Sequence, residues 1–217
     1  NCNNMKTRSY VHHGHSCKPD VPGLKMLDDL IDEEPVFDHR LVDLARYMAG
    51  SYVCETGEAM SMALPSGEKP SSRFKHPFDV SPHAGVHLTE TQKNIYEQML
   101  TGRDNGDLVH LLYGITGSGK TEIYVRLAQK VIEEGRSVIY LVPEISLSSQ
   151  IYQRLYQVFG EELVVYHSHL TKNQRLYNWK RFFSGEVKIV IGTRSAIFLQ
   201  APETGLIIID EEHESSY

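Results

Sequence analysis

The run Gly114-Ile-Thr-Gly-Ser-Gly-Lys120-Thr121 fits the phosphate-binding pattern G-x-x-x-x-G-K-[ST], and its flanks restrict the folds open to the chain. Leu108–Tyr113 just before it reads as a buried strand, and Thr121–Glu134 just after it reads as a helix closed by Gly135. Strand, glycine loop and helix therefore stand in the order such a loop needs. Gly114, Gly117 and Gly119 let successive backbone N–H groups, with Ser118 among them, turn inward around phosphate oxygens, while the positive end of the helix faces the anion. Lys120 would reach the β and γ phosphates, and the Thr121 hydroxyl would hold Mg²⁺. The plain alternative is a glycine-rich strand-to-helix turn, which the strand and helix patterns on either side disfavour.

Hydrolysis of a bound nucleotide needs a carboxylate for the metal and a base for water. Gly205-Leu-Ile-Ile-Ile-Asp210 is an apolar strand-type run ending in an acid and followed by Glu211, Glu212 and His213. Residues just past the C-terminal ends of parallel strands line the ligand crevice, which suits Asp210 to Mg²⁺ and Glu211 to the general base. A solvated acidic loop is the alternative, and the phosphate loop upstream weighs against it.

Apolar runs at Ser137–Val142, Leu163–Tyr166, Val187–Ile191 and Leu206–Ile209 alternate with helical patterns, as in an α/β domain with a mostly parallel sheet. The helix after Thr171 carries Leu176, Trp179, Phe182 and Phe183 at core spacing and stops at Gly185. Its Lys172, Arg175, Lys180 and Arg181 read as a solvated face before they read as a nucleic-acid contact.

Three more loops fall at strand ends: Leu141-Val-Pro-Glu-Ile-Ser-Leu147, His167-Ser-His-Leu170 and Ile191-Gly-Thr-Arg-Ser-Ala-Ile-Phe198. Together with G-I-T-G-S-G-K-T and D-E-E-H-E-S-S-Y they resemble the first motor lobe of the PriA family of superfamily 2 helicases. The resemblance is close over Leu88–Tyr217 and weaker over Leu24–Pro65, with none before Leu24. It implies a RecA-like P-loop lobe at 88–217, a remnant of a DNA-binding or winged-helix region with its linker at 24–87, and an unassigned, flexible 1–23. It also implies that Pro143 and Glu144 line the single-strand path, that Thr193 and Arg194 contact the DNA backbone, and that His213 and Tyr217 couple DNA contact to hydrolysis. Arginine and threonine are ordinary phosphate-contacting groups, which agrees with that assignment.

Gln92 carries two readings. Thr89 and Gln92 spell a T-x-x-Q capping box for a helix with Ile95, Tyr96, Met99 and Leu100 on its apolar side. Relatives in the family recognise the adenine base at the same position.

With 217 residues, 41% of them hydrophobic, the chain can bury a core, and its length suits one domain plus an appendage. No apolar run approaches the ~20 residues that span a bilayer, and no signal-peptide pattern is present, so the expected location is cytoplasmic. A net charge of −6 excludes a generally basic coat and confines any DNA affinity to a local groove. The acidic run Asp28–Glu34 reads as a connector, and Asp38–Gly50 as an amphipathic helix with Leu41, Leu44, Ala45 and Met48 facing a partner. Only about twenty residues separate Pro65 from Leu88, where the family has a longer insert, so a complete winged helix is not expected. Cys2, Cys17 and Cys54 form no C-x-x-C pair and suit reduced thiols. His12, His13, His15 and Cys17 lie close together but lack the support that fixes a tetrahedral site.

The resemblance implies the first lobe of an ATP-dependent 3′–5′ DNA helicase of replication restart, using ATP and Mg²⁺. By resemblance its partners are forked or single-stranded DNA, other primosome proteins and single-strand-binding protein, and its family's zinc ligands lie in a second lobe. The sequence ending at Tyr217 is expected to bind ATP weakly alone and not to unwind DNA, since the second lobe brings the arginine that stabilises the transferring phosphoryl group. Another superfamily 2 motor, such as a branch-migration helicase, and a non-catalytic nucleotide- or DNA-binding module are the alternatives.

Overall fold

The computed structural model describes residues 37–65, 85, 87–115, 117–143 and 150–214. It divides between Met62 and Ala63 into two compact units.

In the first unit, α1 (His39–Tyr52) opens on Asp38, whose carboxylate accepts from the backbone of Arg40 and Leu41. Such a cap satisfies N–H groups that have no partner inside the helix. The buried stripe of α1 is Leu41, Val42 and Ala45, whereas Leu44 is exposed, so the expected apolar face is rotated towards Val42. Next comes α2 (Thr56–Ala63), with Ala59 and Met60 buried.

The second unit begins with α3 (Glu90–Asp104) and α4 (Lys120–Glu133). After them β1 (Ser137–Leu141), α5 (Gln150–Phe159), β2 (Leu163–Tyr166), α6 (Lys172–Phe183), β3 (Ile189–Gly192) and β4 (Thr204–Ile209) alternate along the chain. The four strands form one sheet in the order β2-β3-β1-β4, and every pairing is parallel. This is an α/β, RecA-like arrangement. Every residue of β1, β2 and β3 is buried, as their near-continuous apolar runs require of strands covered on both faces. On one face Val138, Tyr140, Leu163, Val165, Ile189, Ile191 and Ile208 pack with Val125, Ala128 and Val131 of α4 and with Tyr152 and Leu155 of α5. A smaller cluster joins Tyr96 of α3 to Ile123 and Leu127 of α4, with Leu112 and Leu206 beside them.

The expected strand at Leu108–Tyr113 is not one. Residues 107–115 carry no strand assignment, and Leu108, Val109, Leu111 and Tyr113 are between 75% and 94% exposed. A strand exists only where a neighbour completes its hydrogen-bond ladder, and among the described residues the sheet ends at β4 without a further strand. Leu112 alone of this run packs inward, against the α3–α4 cluster.

At the other end of the strands, Gly192 pairs with Tyr166 so closely that a Cβ there would overlap the Tyr166 carbonyl and the Ala196 methyl group. The Thr193 N–H then donates to Tyr166 O at 3.2 Å, which joins the loops after β2 and β3. Among the described residues, no helix is long and apolar enough to cross a membrane.

Candidate functional site

The loop between Gly114 and α4 turns on two glycines in the left-handed region, Gly117 at φ 79° and Gly119 at φ 81°. Side chains other than glycine resist that conformation, and it aims consecutive backbone N–H groups into one concavity at the helix start. Ser118 stands exposed on this loop, and Lys120 and Thr121 form the first turn of α4. The Lys120 ammonium lies along the loop, donating to Gly114 O at 2.6 Å and Ile115 O at 3.2 Å. Thr116 lies outside the described residues.

Gln92 makes both contacts of the expected capping box: its Oε1 accepts from Thr89 N–H at 2.9 Å, and its own N–H donates to Thr89 Oγ1 at 3.3 Å. Its Nε2 also donates to Gly119 O at 3.3 Å, so the cap of α3 is bonded to the loop itself. A side chain at residue 119 would overlap that amide, a second reason for glycine there.

Asp210 follows β4 directly and keeps the ladder going for one step by donating its N–H to Leu141 O at 3.0 Å. Its Oδ2 accepts from the Tyr140 hydroxyl at 3.0 Å and its Oδ1 from Glu211 N–H at 3.1 Å. Burial raises its carboxyl pKa above the ordinary value, against the opposing effects of the Tyr140 and Glu211 bonds and the Lys120 charge. Glu211, Glu212 and His213 form the exposed turn that follows, with Glu211 at a positive φ of 51°.

Other expected site residues fall nearby or outside what is described. Pro143 is buried just past β1, while Glu144 and Tyr217 lie outside the described residues. Thr193 is buried and Arg194 exposed, so of that pair only the arginine is presented to a ligand. His12, His13, His15, Cys2 and Cys17 also lie outside, and Cys54 is a half-buried free thiol.

Two partnerships have no sequence signal because they span distant segments. One is the Tyr140–Asp210 bond. The other joins Arg154 of α5 to Glu122 in the first turn of α4 through two parallel bonds of 2.7 and 2.6 Å, the bidentate geometry that suits guanidinium and carboxylate.

A glycine cradle at a helix N-terminus, with a hydroxyl on one element and a carboxylate on another, is equipped to hold a polyphosphate and a hard cation. One hydroxyl and one carboxylate are too few for an all-protein cation cage. They suit Mg²⁺, which keeps several waters and takes its remaining ligands from phosphates.

Comparison with known proteins agrees with this chemistry. The DEAD/DEAH box helicase family model matches residues 89–217, and the 3′DNA-binding domain (3′BD) model matches residues 3–65. The second match takes in the stretch before Leu24 that the motifs left unassigned. The chain is 39% identical over 217 residues to the replication restart protein PriA of Treponema pallidum, covering 95% of this chain and 32% of that one. It is 49% identical over 130 residues to the protein of the same name from Haemophilus influenzae, covering 60% of this chain and 18% of that one. For the Bacillus subtilis counterpart the identity is 45% over 131 residues, with coverages of 60% and 16%. The chain thus spans a third or less of the length of these relatives.

Proposed function

The chain belongs to the DEAD/DEAH box helicase family, in its replication restart PriA branch, and we propose that it forms the ATP-binding lobe of a DNA motor moving 3′ to 5′. In this reading the intact motor remodels abandoned replication forks, with other primosome proteins and single-strand-binding protein as partners. The link between the helix that starts at the glycine loop and the acid that ends β4, made by the Tyr124–Tyr140 ring contact and the Tyr140–Asp210 bond, carries the proposal.

Each residue then has a task. Gly114, Gly117, Ser118 and Gly119 surround the phosphates with backbone N–H groups, and Lys120 exchanges its loop carbonyls for phosphate oxygens. Thr121 and Asp210 hold Mg²⁺, which when bound neutralises charge developing on the transferring phosphoryl group. Glu211 accepts a proton from the attacking water. Gln92 meets the adenine while its amide stays tethered to Gly119. Arg194, exposed after β3, contacts the DNA backbone, with Thr193 beside it in sequence; Pro143 and Glu144 belong to the single-strand path, and His213 and Tyr217 couple DNA contact to hydrolysis.

The test is nucleotide binding by calorimetry followed by steady-state hydrolysis with and without forked DNA. Lys120→Ala is expected to abolish tight MgATP binding and keep the fold, because a charge-assisted phosphate contact is lost and little core is touched. In a longer form containing the second lobe, Glu211→Gln is expected to bind nucleotide normally and lose turnover. Equal affinity in Lys120→Ala and wild type overturns the site, and DNA-independent binding without hydrolysis in that longer form identifies a non-catalytic module.

A further inference from the structure

Tyr140 is the last residue but one of β1, fully buried, with its ring among the aliphatic side chains that pack under α4 and α5. From sequence it is one more core residue of a parallel strand. Its hydroxyl nevertheless donates to Asp210 Oδ2 at 3.0 Å, while Asp210 Oδ1 is taken by the Glu211 N–H. Bonds on both oxygens hold the plane of the carboxyl group. The tyrosine is itself held: the Tyr124 ring of α4 meets it edge-on, with centroids 6.1 Å apart. Tyr124 lies one turn beyond Lys120 and Thr121 on the same helix, so a continuous path of Tyr124, Tyr140 and Asp210 links the helix that starts at the phosphate loop to the acid at the end of β4.

We propose that Tyr140 is a positioning residue for the divalent cation: it holds the Asp210 carboxylate in the orientation from which that carboxylate and Thr121 bind Mg²⁺ together with a nucleoside polyphosphate. The inference rests on the reading of Asp210 as a metal holder. Groups that orient a metal-binding carboxylate contribute to metal affinity without touching the metal, and their loss typically lowers it by ten- to a hundredfold. Here the Glu211 N–H remains after the tyrosine bond is removed, so a smaller effect is expected.

The experiment compares ADP binding to the full chain with Mg²⁺ and with EDTA, for wild type, Tyr140→Phe and Asp210→Asn. Tyr140→Phe keeps the ring and its packing. It is expected to weaken MgADP binding by roughly three- to tenfold, to leave binding in EDTA unchanged, and to require a correspondingly higher Mg²⁺ concentration for half-maximal effect. Phe at this position acting only through packing would change both conditions equally, and that result overturns the proposal. Unchanged MgADP affinity in Tyr140→Phe, with the Mg²⁺-dependent gain lost in Asp210→Asn, also overturns it while leaving the role of Asp210 intact. If Asp210→Asn retains the full Mg²⁺-dependent gain, the reading of Asp210 itself fails and the inference falls with it.

Discussion

β2 and β4 are both outer strands of the same sheet, yet all four residues of β2 are buried, whereas Thr204, Ile207 and Ile209 of β4 are exposed. The outer side of β2 is closed by α6, which buries Leu176, Trp179 and Phe182 and sends the Asn178 amide to Val165 O at 2.7 Å. That bond satisfies a strand carbonyl which the ladder to β3 leaves over. Outer strands present rows of such groups, and folded proteins cover, charge or shorten them. On the β4 side, α3 and α4 flank Leu206, and the run 108–113 lies exposed apart from Leu112. The contrast shows that apolar content alone does not make a strand. Leu163–Tyr166 and Leu108–Tyr113 are equally strand-like in composition, and among the described residues only the first has a strand beside it.

The sharpest way to break this contrast is proline. Ile139→Pro in β1 removes a ladder donor from the buried middle of the sheet and is expected to cost ~3 kcal/mol or more, while Val109→Pro is expected to stay within ~0.5 kcal/mol. Urea denaturation reads both. A large loss in Val109→Pro would mean that 108–113 is a paired strand after all.

A smaller effect sharpens the description of the covered side. Asn178→Leu keeps the branched four-atom skeleton and leaves the Val165 carbonyl without its amide in a buried place, with an expected cost of about 1–3 kcal/mol in the same assay. An unchanged midpoint would show that α6 protects β2 by packing alone.

The smallest effect concerns the exposed side, where α3 is fastened to α4 through Arg103 and Glu134 at 3.1 Å, with Arg136 on the same carboxylate. Hydrogen bonding from Arg136 first, and then from Arg103, holds the Glu134 carboxyl below its ordinary pKa. A carboxylate depressed in the folded state stabilises fully above its unfolded pKa, and the contribution disappears as pH falls through the folded value. Wild type should therefore lose its advantage over Glu134→Gln as pH falls from the ordinary glutamate range through the lower folded-state value. The difference should stay under about 1 kcal/mol and shrink with salt, since these groups lie at the surface and are still reached by solvent. An advantage that grows on acidification would reverse the sign of this argument.

The sequence was most informative where structure is local. The glycine loop, the start of α4, the Thr89–Gln92 capping box and the helix opening at Thr171 are all set within a few residues of chain, and each lies where its spacing puts it. The runs expected at 137–142, 163–166, 187–191 and 206–209 all contain strands, with ends differing by up to two residues. The run 108–113 failed because pairing is a property of neighbours. Leu44 failed because a stripe of Leu41, Ala45 and Met48 can be drawn with either Val42 or Leu44 beside it, and only the packed unit chooses. Tyr140 and Arg154 were unreadable for a third reason: each partner lies 70 and 32 residues away, respectively, with nothing in the intervening chain to connect them.

The positive φ of Glu211 sets the acidic turn's stability against its chemistry. Left-handed backbone is uncommon for a residue with a long side chain, and a strained φ of this kind is worth of order 1 kcal/mol or more. Glycine would relax it at once and asparagine in part, so random substitution selected for heat tolerance should enrich both at position 211. Each would also delete the carboxylate proposed to activate water. A library sorted first for thermal survival and then for nucleotide turnover would accordingly change direction at this one position, as expected when a site holds strain that its scaffold would otherwise shed.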